Sequence, residues 1–169
     1  MTRKEMAVDK HKQGYNCAQS VTLALADLYD MEPSTMARLS GSFGGGIGRM
    51  RETCGAACGM FMVAGLEVQN PEDTPSDPAC AYPNAVLKKA NYQVVQHLAA
   101  EFRKRCGALL CRELLGLAKP LSDGVVPAVA ITATPEERTE AYYRRRPCTA
   151  MVETAVLIYM EYLRQKYSK

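Results

Sequence analysis

The sequence contains no tryptophan, only two histidines and no long hydrophobic run. Its most apolar late stretch, residues 151–160, includes Glu153 and is far shorter than the roughly 20 residues that a transmembrane helix requires. The formal net charge of +3 is too small to indicate binding to nucleic acid or to an acidic membrane surface. The first ten residues are charged throughout and lack the apolar core of a secretory signal, so we expect a cytoplasmic protein.

Cysteine, in contrast, is abundant, with seven residues in the chain. In a reducing compartment, cysteines more often serve metal binding or redox chemistry than structural disulfides, although a buried cysteine can also be a simple small apolar side chain. The composition, 47% hydrophobic and 23% charged, is that of a globular protein. We expect one domain, residues 1–169, which is long enough to fold without covalent or metal crosslinks.

The pattern of apolar residues predicts an all-α fold, a single-domain bundle of about five to seven helices. Capping residues, glycines and prolines mark where the helical segments begin and end. Prolines favour loops at 70–83, which places Cys80 outside the core, and at 117–133. The predicted helical segments, some of them short, span about residues 2–12, 16–29, 34–41, 53–66, 84–105, 109–115, 134–146 and 148–166.

A glycine-rich loop precedes the helix that we expect to be central. Residues 41–48 include five glycines and cannot be the interior of a helix or strand. Thr53 is predicted to cap the following helix, on which Gly55 and Gly59 leave a bare strip where another backbone can approach closely. The loop lacks the spacing of a P-loop or a dinucleotide-binding motif, although its amides are candidates for binding an anion.

Three cysteines, Cys17, Cys54 and Cys148, are predicted to lie in the first turn of a helix. There the free backbone amides and the helix dipole favour a thiolate. Arg49 and Arg51 lie beside Cys54 in the sequence and a run of arginines precedes Cys148, so we expect a lowered pKa for both thiols. Small residues are common near helix caps, so a single cysteine in this position would carry little weight.

Several motifs along the chain are found together in one known family. They are Tyr15-Asn16-Cys17-Ala18-Gln19, Phe43-Gly44-Gly45-Gly46-Ile47-Gly48, Cys54-Gly55-Ala56-Ala57-Cys58-Gly59, Cys111-Arg112-Glu113-Leu114-Leu115-Gly116 and the late Cys148. In this order they resemble the C_GCAxxG_C_C family of redox-active proteins over nearly the whole chain. The resemblance implies redox activity through a quartet of cysteines: Cys17, Cys54, Cys111 and Cys148.

The resemblance does not extend to haem binding. Similar domains occur joined to haem-binding segments in split-Soret cytochromes, but this chain contains no Cys-x-x-Cys-His, so no haem is expected. His11 and His97 are interpreted as ordinary surface or core side chains, which leaves a cysteine-protease mechanism without a positioned histidine. The three cysteines outside the quartet, Cys58, Cys80 and Cys106, are interpreted as packing or incidental residues.

One chemistry open to the quartet is thiol–disulfide exchange with a redox partner protein or a small thiol. An exposed cysteine of low pKa attacks, and a second cysteine resolves the mixed disulfide. We expect Cys54 to attack, because it combines a helix start with nearby arginines and the glycine loop. The resolving residue is then Cys17 or Cys148.

The alternative chemistry is metal binding, with the four thiolates holding an iron–sulfur cluster or a zinc ion. Cys58, one helical turn beyond Cys54, is a candidate for an extra ligand, although the cysteine spacings match no standard ferredoxin or zinc motif. In the cluster interpretation, the glycines whose amides would face the bound group are Gly44, Gly45, Gly46 and Gly48.

A third interpretation is a non-catalytic helical adaptor or metal sensor. The sequence leaves the oligomeric state of the protein open.

Overall fold

The computed structural model describes residues 1–68 and 85–168, and apart from one isolated β-bridge their regular secondary structure is helical. The all-α prediction is confirmed. The described residues form eight α-helices, more than the five to seven expected, and two short 3-10 helices at Ala26–Tyr29 and Gly41–Phe43. The proline-rich segment with Cys80 lies outside the described residues. The α-helices are α1 (Arg3–Lys12), α2 (Cys17–Leu25), α3 (Pro33–Ser40), α4 (Gly55–Val68), α5 (Ala85–Cys106), α6 (Cys111–Leu114), α7 (Glu140–Arg145) and α8 (Cys148–Tyr167).

Capping boxes set the starts of the first two helices. The hydroxyl of Thr2 accepts a hydrogen bond from the Glu5 amide, and the Glu5 carboxylate accepts one from the Thr2 amide at 2.8 Å. At α2, the Asn16 side chain accepts from the Gln19 amide at 2.9 Å, and the Gln19 side chain accepts from the Asn16 amide at 3.0 Å. Because Asn16 is the cap, Cys17 is the first residue of α2, as predicted.

The predicted cap of α4 is wrong by one residue. Helix α4 begins at Gly55, so Cys54 occupies the cap position that we expected for Thr53. Thr53 instead forms an isolated antiparallel bridge with Leu110, the residue before α6. This bridge pairs Thr53 with the segment before α6, and α4 begins two residues after it.

The predicted start of α7 at Thr134-Pro135 is also wrong. Helix α7 begins at Glu140, and the hydroxyl of Thr139 caps it by accepting a hydrogen bond from the Tyr142 amide at 3.1 Å. Glu136, which we expected in the first turn, pairs with Arg146 across the start of α8. The segment before α7 is not helical, and this ion pair is one of the contacts that hold it.

Helix α4 packs against α2, α5 and α8 in the centre of the bundle. The bare strip predicted on α4 is confirmed: a Cβ atom added at Gly59 would lie only 2.7 Å from the Ala18 carbonyl oxygen of α2. A Cβ added at Gly55 would lie 2.7 Å from the Phe43 carbonyl oxygen. Alanine at either position would thus push α2 or the glycine loop away from α4. The largest fully buried side chains around this centre are Leu25, Met36, Met60, Leu98, Phe102 and Tyr159.

No helix in the described part of the chain is both long enough and apolar enough to span a membrane.

Candidate functional site

A single cavity of about 290 Å³ is lined by Cys17, Cys54, Cys111 and Cys148. The structure therefore brings together the four cysteines that the sequence singled out, from the starts of four helices. The predicted glycines of the loop, Gly44, Gly45, Gly46 and Gly48, line the same cavity. Cys58 and Cys106 do not line it.

Each of the four cysteines lies at the N-terminus of a helix. Cys17, Cys111 and Cys148 are the first residues of α2, α6 and α8, and Cys54 is the cap of α4. The Cys54 sulfur accepts hydrogen bonds from the amides of Ala56 and Ala57, as a capping side chain does. The helix-start placement was predicted for three of the cysteines, and Cys111 extends it to the fourth.

Backbone pairing joins the residues before α4 to the residues before α6. The Cys54 amide donates to the Leu109 carbonyl at 2.8 Å, and the Cys111 amide donates to the Glu52 carbonyl at 2.6 Å. These two bonds lie on either side of the Thr53–Leu110 bridge, so they hold Cys54 and Cys111 on neighbouring, paired segments of the backbone. Residues far apart in the sequence are thus placed at one site by four backbone groups.

The glycine loop is a run of residues with left-handed backbone. The φ angles of Gly45, Gly46, Ile47, Gly48 and Arg49 lie between 56° and 73°, a region that favours glycine. The Gly48 amide donates to the Ser42 carbonyl within the loop at 2.7 Å, so this amide is not free to bind a ligand. A Cβ atom at Gly46 would lie 2.5 Å from the Cys111 Cβ, so glycine at 46 is what allows Cys111 to pack against the loop.

Cys148 is the cavity cysteine whose pKa is lowered. A hydrogen bond with the Cys17 thiol lowers the pKa of Cys148 to about 7, with burial opposing and the guanidinium groups of Arg146 and Arg138 adding to the effect. The pKa of Cys17 is raised, first by the same hydrogen bond with Cys148 and then by burial. We therefore assign the thiolate to Cys148 and the donating S–H to Cys17.

The other cysteines of the site are buried thiols. Burial raises the pKa of Cys54 to about 12, against the opposing hydrogen bonds from Ala56 and Ala57, so the lowered pKa expected for Cys54 is wrong. Burial also raises the pKa of Cys111 despite the guanidinium of Arg51, whose Nη1 lies 3.9 Å from the Cys111 sulfur. The arginine that we expected beside Cys54 therefore faces Cys111.

His11 is part of the site, although sequence reasoning interpreted it as an ordinary side chain. It is fully buried, and its Nε2 lies 3.8 Å from the Cys17 sulfur and 3.2 Å from Nη1 of Arg138. Because arginine only donates, Nε2 carries no proton, and Nδ1–H donates to the Thr149 hydroxyl at 3.0 Å. Burial, with a smaller effect of Arg138, lowers the pKa of His11 to about 4, so the ring is neutral.

The described residues contain no group of three or more Cys, His, Asp or Glu side chains arranged to hold a metal ion. Cys58, the candidate extra ligand, lies away from the cavity, and its thiol donates to the Thr53 carbonyl at 3.8 Å. Burial raises the pKa of Cys58 to about 11, which keeps it protonated near neutral pH.

The fold and the site together define an all-helical protein with four cysteines at helix N-termini around one cavity. Residues 15–162 match the family model described as "Putative redox-active protein (C_GCAxxG_C_C)". The chain belongs to this family, and the resemblance found in its motifs is confirmed. Comparison with curated proteins and with solved structures gives no significant match. His11 precedes the matched segment, so membership of the family assigns it no role.

Proposed function

We propose that the protein catalyses thiol–disulfide exchange, with Cys148 as the attacking residue and Cys17 as the resolving residue. The observation that carries this proposal is that Cys17 and Cys148 line one accessible cavity and lie close enough for each thiol to shift the pKa of the other. Cys148 is partly exposed whereas Cys17 is buried, so an incoming disulfide meets Cys148 first.

The acidity of Cys148 suits nucleophilic attack at neutral pH. The best attacking thiol has a pKa near the ambient pH, because a lower value sacrifices nucleophilicity and a higher value leaves too little thiolate. The pKa of Cys148 is lowered from its usual range, in the direction of this optimum. Cys54 and Cys111 have raised pKa values and stay protonated, so we assign neither the first attack. Cys148 thus replaces Cys54 in the role that the sequence suggested.

The proposed reaction balances as a two-electron exchange. The Cys148 thiolate attacks a disulfide R–S–S–R, forms a Cys148–S–R bond and releases R–S⁻. Cys17 then gives its proton to solvent and attacks the Cys148 sulfur, which releases the second R–S⁻ and leaves a Cys17–Cys148 disulfide. The two protein thiols lose two electrons and the small disulfide gains them. A dithiol in the surroundings reverses the reaction, consistent with the cytoplasmic location that we propose.

The proposal is tested by trapping the intermediate. Native chain exposed to 2-hydroxyethyl disulfide should form the Cys17–Cys148 disulfide, whereas the Cys17→Ser variant should stop at a mixed disulfide on Cys148. Peptide mass spectrometry after acid quenching and alkylation identifies both products. Cys106→Ser, which changes a cysteine outside the cavity, is the matched control and should behave as the native chain.

Three results would overturn the proposal. A mixed disulfide that forms first on Cys54 or Cys111 would remove Cys148 from the attacking role. Stoichiometric iron with brown absorbance, or stoichiometric zinc, in anaerobically prepared protein would favour the four-thiolate metal site instead. A chain that reacts with no disulfide and binds no metal would favour the adaptor interpretation.

A further inference from the structure

The charges that line the cysteine cavity are unevenly matched. Four arginines line it, Arg49, Arg51, Arg138 and Arg146, but the only carboxylate among the described lining residues is Glu136. Glu136 pairs with Arg146 at the cavity and with Arg145 outside it. Among the described residues, the other three lining arginines form no ion pair with a carboxylate. The cavity wall therefore has an excess of positive charge.

Arg51 is the most buried of these cations. The residue is only 6% exposed, and its guanidinium group donates a hydrogen bond to the Cys111 sulfur at 3.9 Å. Because the Cys111 pKa is raised, that sulfur is a neutral thiol and does not balance the charge. A buried cation without a counter-ion carries a free-energy penalty, which an anion in the cavity would relieve.

Arg138 provides a second unbalanced charge near the reactive thiolate. Its Nη1 donates to His11 Nε2 at 3.2 Å, its Nη2 donates to the Tyr15 carbonyl at 3.5 Å, and its guanidinium lies 4.8 Å from the ring centre of Tyr142. All three of these partners are neutral, so they orient the guanidinium without cancelling its charge. Arg138 also lowers the pKa of Cys148, so the positive charge of Arg138 acts on the attacking sulfur.

We propose that the cavity selects small disulfides and thiols that bear a carboxylate, with the carboxylate bound by Arg51 and Arg138 while the sulfur meets Cys148. This inference rests on the exchange reaction proposed above and names its substrate class. A cavity of about 290 Å³ admits a small molecule rather than a folded domain. Guanidinium groups suit this role because they donate paired hydrogen bonds to a carboxylate.

The test compares three small disulfides that differ in charge. Dithiodiglycolate carries two carboxylates, 2-hydroxyethyl disulfide is neutral and cystamine carries two ammonium groups. Rates of reaction at Cys148 are measured by quenching and mass spectrometry, and each is divided by the rate with N-acetylcysteinamide, a neutral reference thiol. In the native chain we expect dithiodiglycolate to react about ten-fold faster than the neutral disulfide after this correction, and cystamine to be the slowest.

Substitutions of Arg51 separate charge from packing. Arg51→Met should lower the ratio of the dithiodiglycolate rate to the 2-hydroxyethyl disulfide rate toward one, and Arg51→Lys should retain part of the native ratio. Arg144→Gln is the matched control, because Arg144 is exposed and does not line the cavity. It should keep the native order of rates.

Thiodiglycolate, a dicarboxylate thioether that cannot exchange, provides a second measurement on the native chain alone. Bound in the cavity, it should slow the alkylation of Cys148 by iodoacetamide, and 2,2′-thiodiethanol, its neutral counterpart, should not. This measurement decides the matter if Arg51→Met fails to fold.

The failure of this inference is distinguishable from the failure of the proposed function. A native chain that reacts with 2-hydroxyethyl disulfide but shows no preference for dithiodiglycolate would overturn the carboxylate site and leave the exchange reaction intact. A native chain that reacts with none of the three disulfides would overturn the exchange reaction. Protection by 2,2′-thiodiethanol equal to that by thiodiglycolate would also contradict the carboxylate site.

Discussion

Helix α4 has a buried polar cluster at each end, and the two clusters differ in how their charges are matched. At the C-terminal end, the Glu67 carboxylate accepts hydrogen bonds from Lys166 at 2.5 Å, Tyr167 at 2.6 Å and Tyr29 at 2.7 Å. The Tyr159 hydroxyl contacts Tyr29 and donates to the Val63 carbonyl at 3.1 Å. At the N-terminal end, the four cysteines and unmatched arginines surround a cavity.

The comparison separates a cluster that stabilises the fold from one that is open to a ligand. Burial raises the pKa of Glu67, but the hydrogen bonds from Lys166, Tyr167 and Tyr29 outweigh it, so the net shift is downward. A buried charge with that many internal partners needs nothing from outside the chain. The cysteine cavity has an excess of guanidinium groups and a cysteine of lowered pKa, and perturbed groups of this kind are typical of functional sites.

The largest expected effect comes from removing the centre of the closed cluster. Glu67→Ala leaves Lys166 and the hydroxyls of Tyr29 and Tyr167 without their acceptor, and should lower the free energy of unfolding by about 3 kcal/mol. Urea denaturation measures this loss. Below the unfolding transition, the rate of exchange at Cys148 should stay within about two-fold of the native rate, because stability and reactivity lie at opposite ends of α4.

The control for this prediction is Glu161→Ala. Glu161 forms an exposed ion pair with Arg105, so its loss should cost no more than about 0.5 kcal/mol. The comparison between the two ends would break down if Glu67→Ala were as mild as Glu161→Ala, or if it slowed exchange along with the loss of stability.

A smaller effect is expected at the glycine loop. Gly46→Ala places a side chain on a residue with φ of 73° and brings its Cβ within 2.5 Å of the Cys111 Cβ. Both the strain and the contact are unfavourable, so we expect a loss of about 2 kcal/mol in the free energy of unfolding and greater accessibility of Cys111 to alkylation. Thermal denaturation and quantitative alkylation measure the two effects.

Gly124→Ala is the matched control, because Gly124 has φ of 81° but a Cβ added there meets nothing within 4 Å. It should cost about 1 kcal/mol from backbone strain alone and leave Cys111 unchanged. Equal losses at both positions, with Cys111 still protected, would show that the loop does not hold Cys111.

The sequence predicted the features of the site that depend on neighbouring residues. Capping boxes and apolar spacing located the helices, and the free amides of helix starts drew attention to Cys17, Cys54 and Cys148. The close approach at Gly55 and Gly59 also follows locally, from the absence of Cβ atoms along one face of α4. Such signals depend on residues within one or two helical turns of each other, so they can be recognised in a single sequence.

The features that the sequence did not predict depend on contacts between distant segments. The Thr53–Leu110 bridge moved the start of α4 by one residue and made Cys54 a buried cap, which raises its pKa. Arg138, which lowers the pKa of Cys148, follows a long loop and carries no motif. His11 is buried on the same face of α1 as Ala7, but its contacts with Cys17 and Arg138 form only in the folded chain. Burial and charge at the site are tertiary properties, and they decided which cysteine is acidic.

The smallest predicted effect concerns the acid sensitivity of the cysteine end. In the folded chain the pKa of His11 is lowered to about 4 from 6.5, by burial and by Arg138. Between these two pH values the unfolded chain binds a proton at His11 and the folded chain does not, so the free energy of unfolding falls as the pH falls. The contribution is nearly constant above about pH 7.5, and by pH 5.5 the chain should lose about 1 kcal/mol from this histidine relative to pH 7.5.

Urea denaturation at pH 7.5 and pH 5.5 measures this difference. His11→Gln should reduce it and leave the part that comes from Cys148, whose lowered pKa also makes the chain take up a proton on unfolding in this window. His97→Gln, at the exposed histidine of α5, is the matched control and should retain the native difference. Glu67 has a lowered pKa, so its contribution to stability is lost only below about pH 4.5 and does not enter this window. A native chain equally stable at both pH values would contradict a neutral, buried His11 beside Cys17, because such a histidine must take up a proton when the chain unfolds.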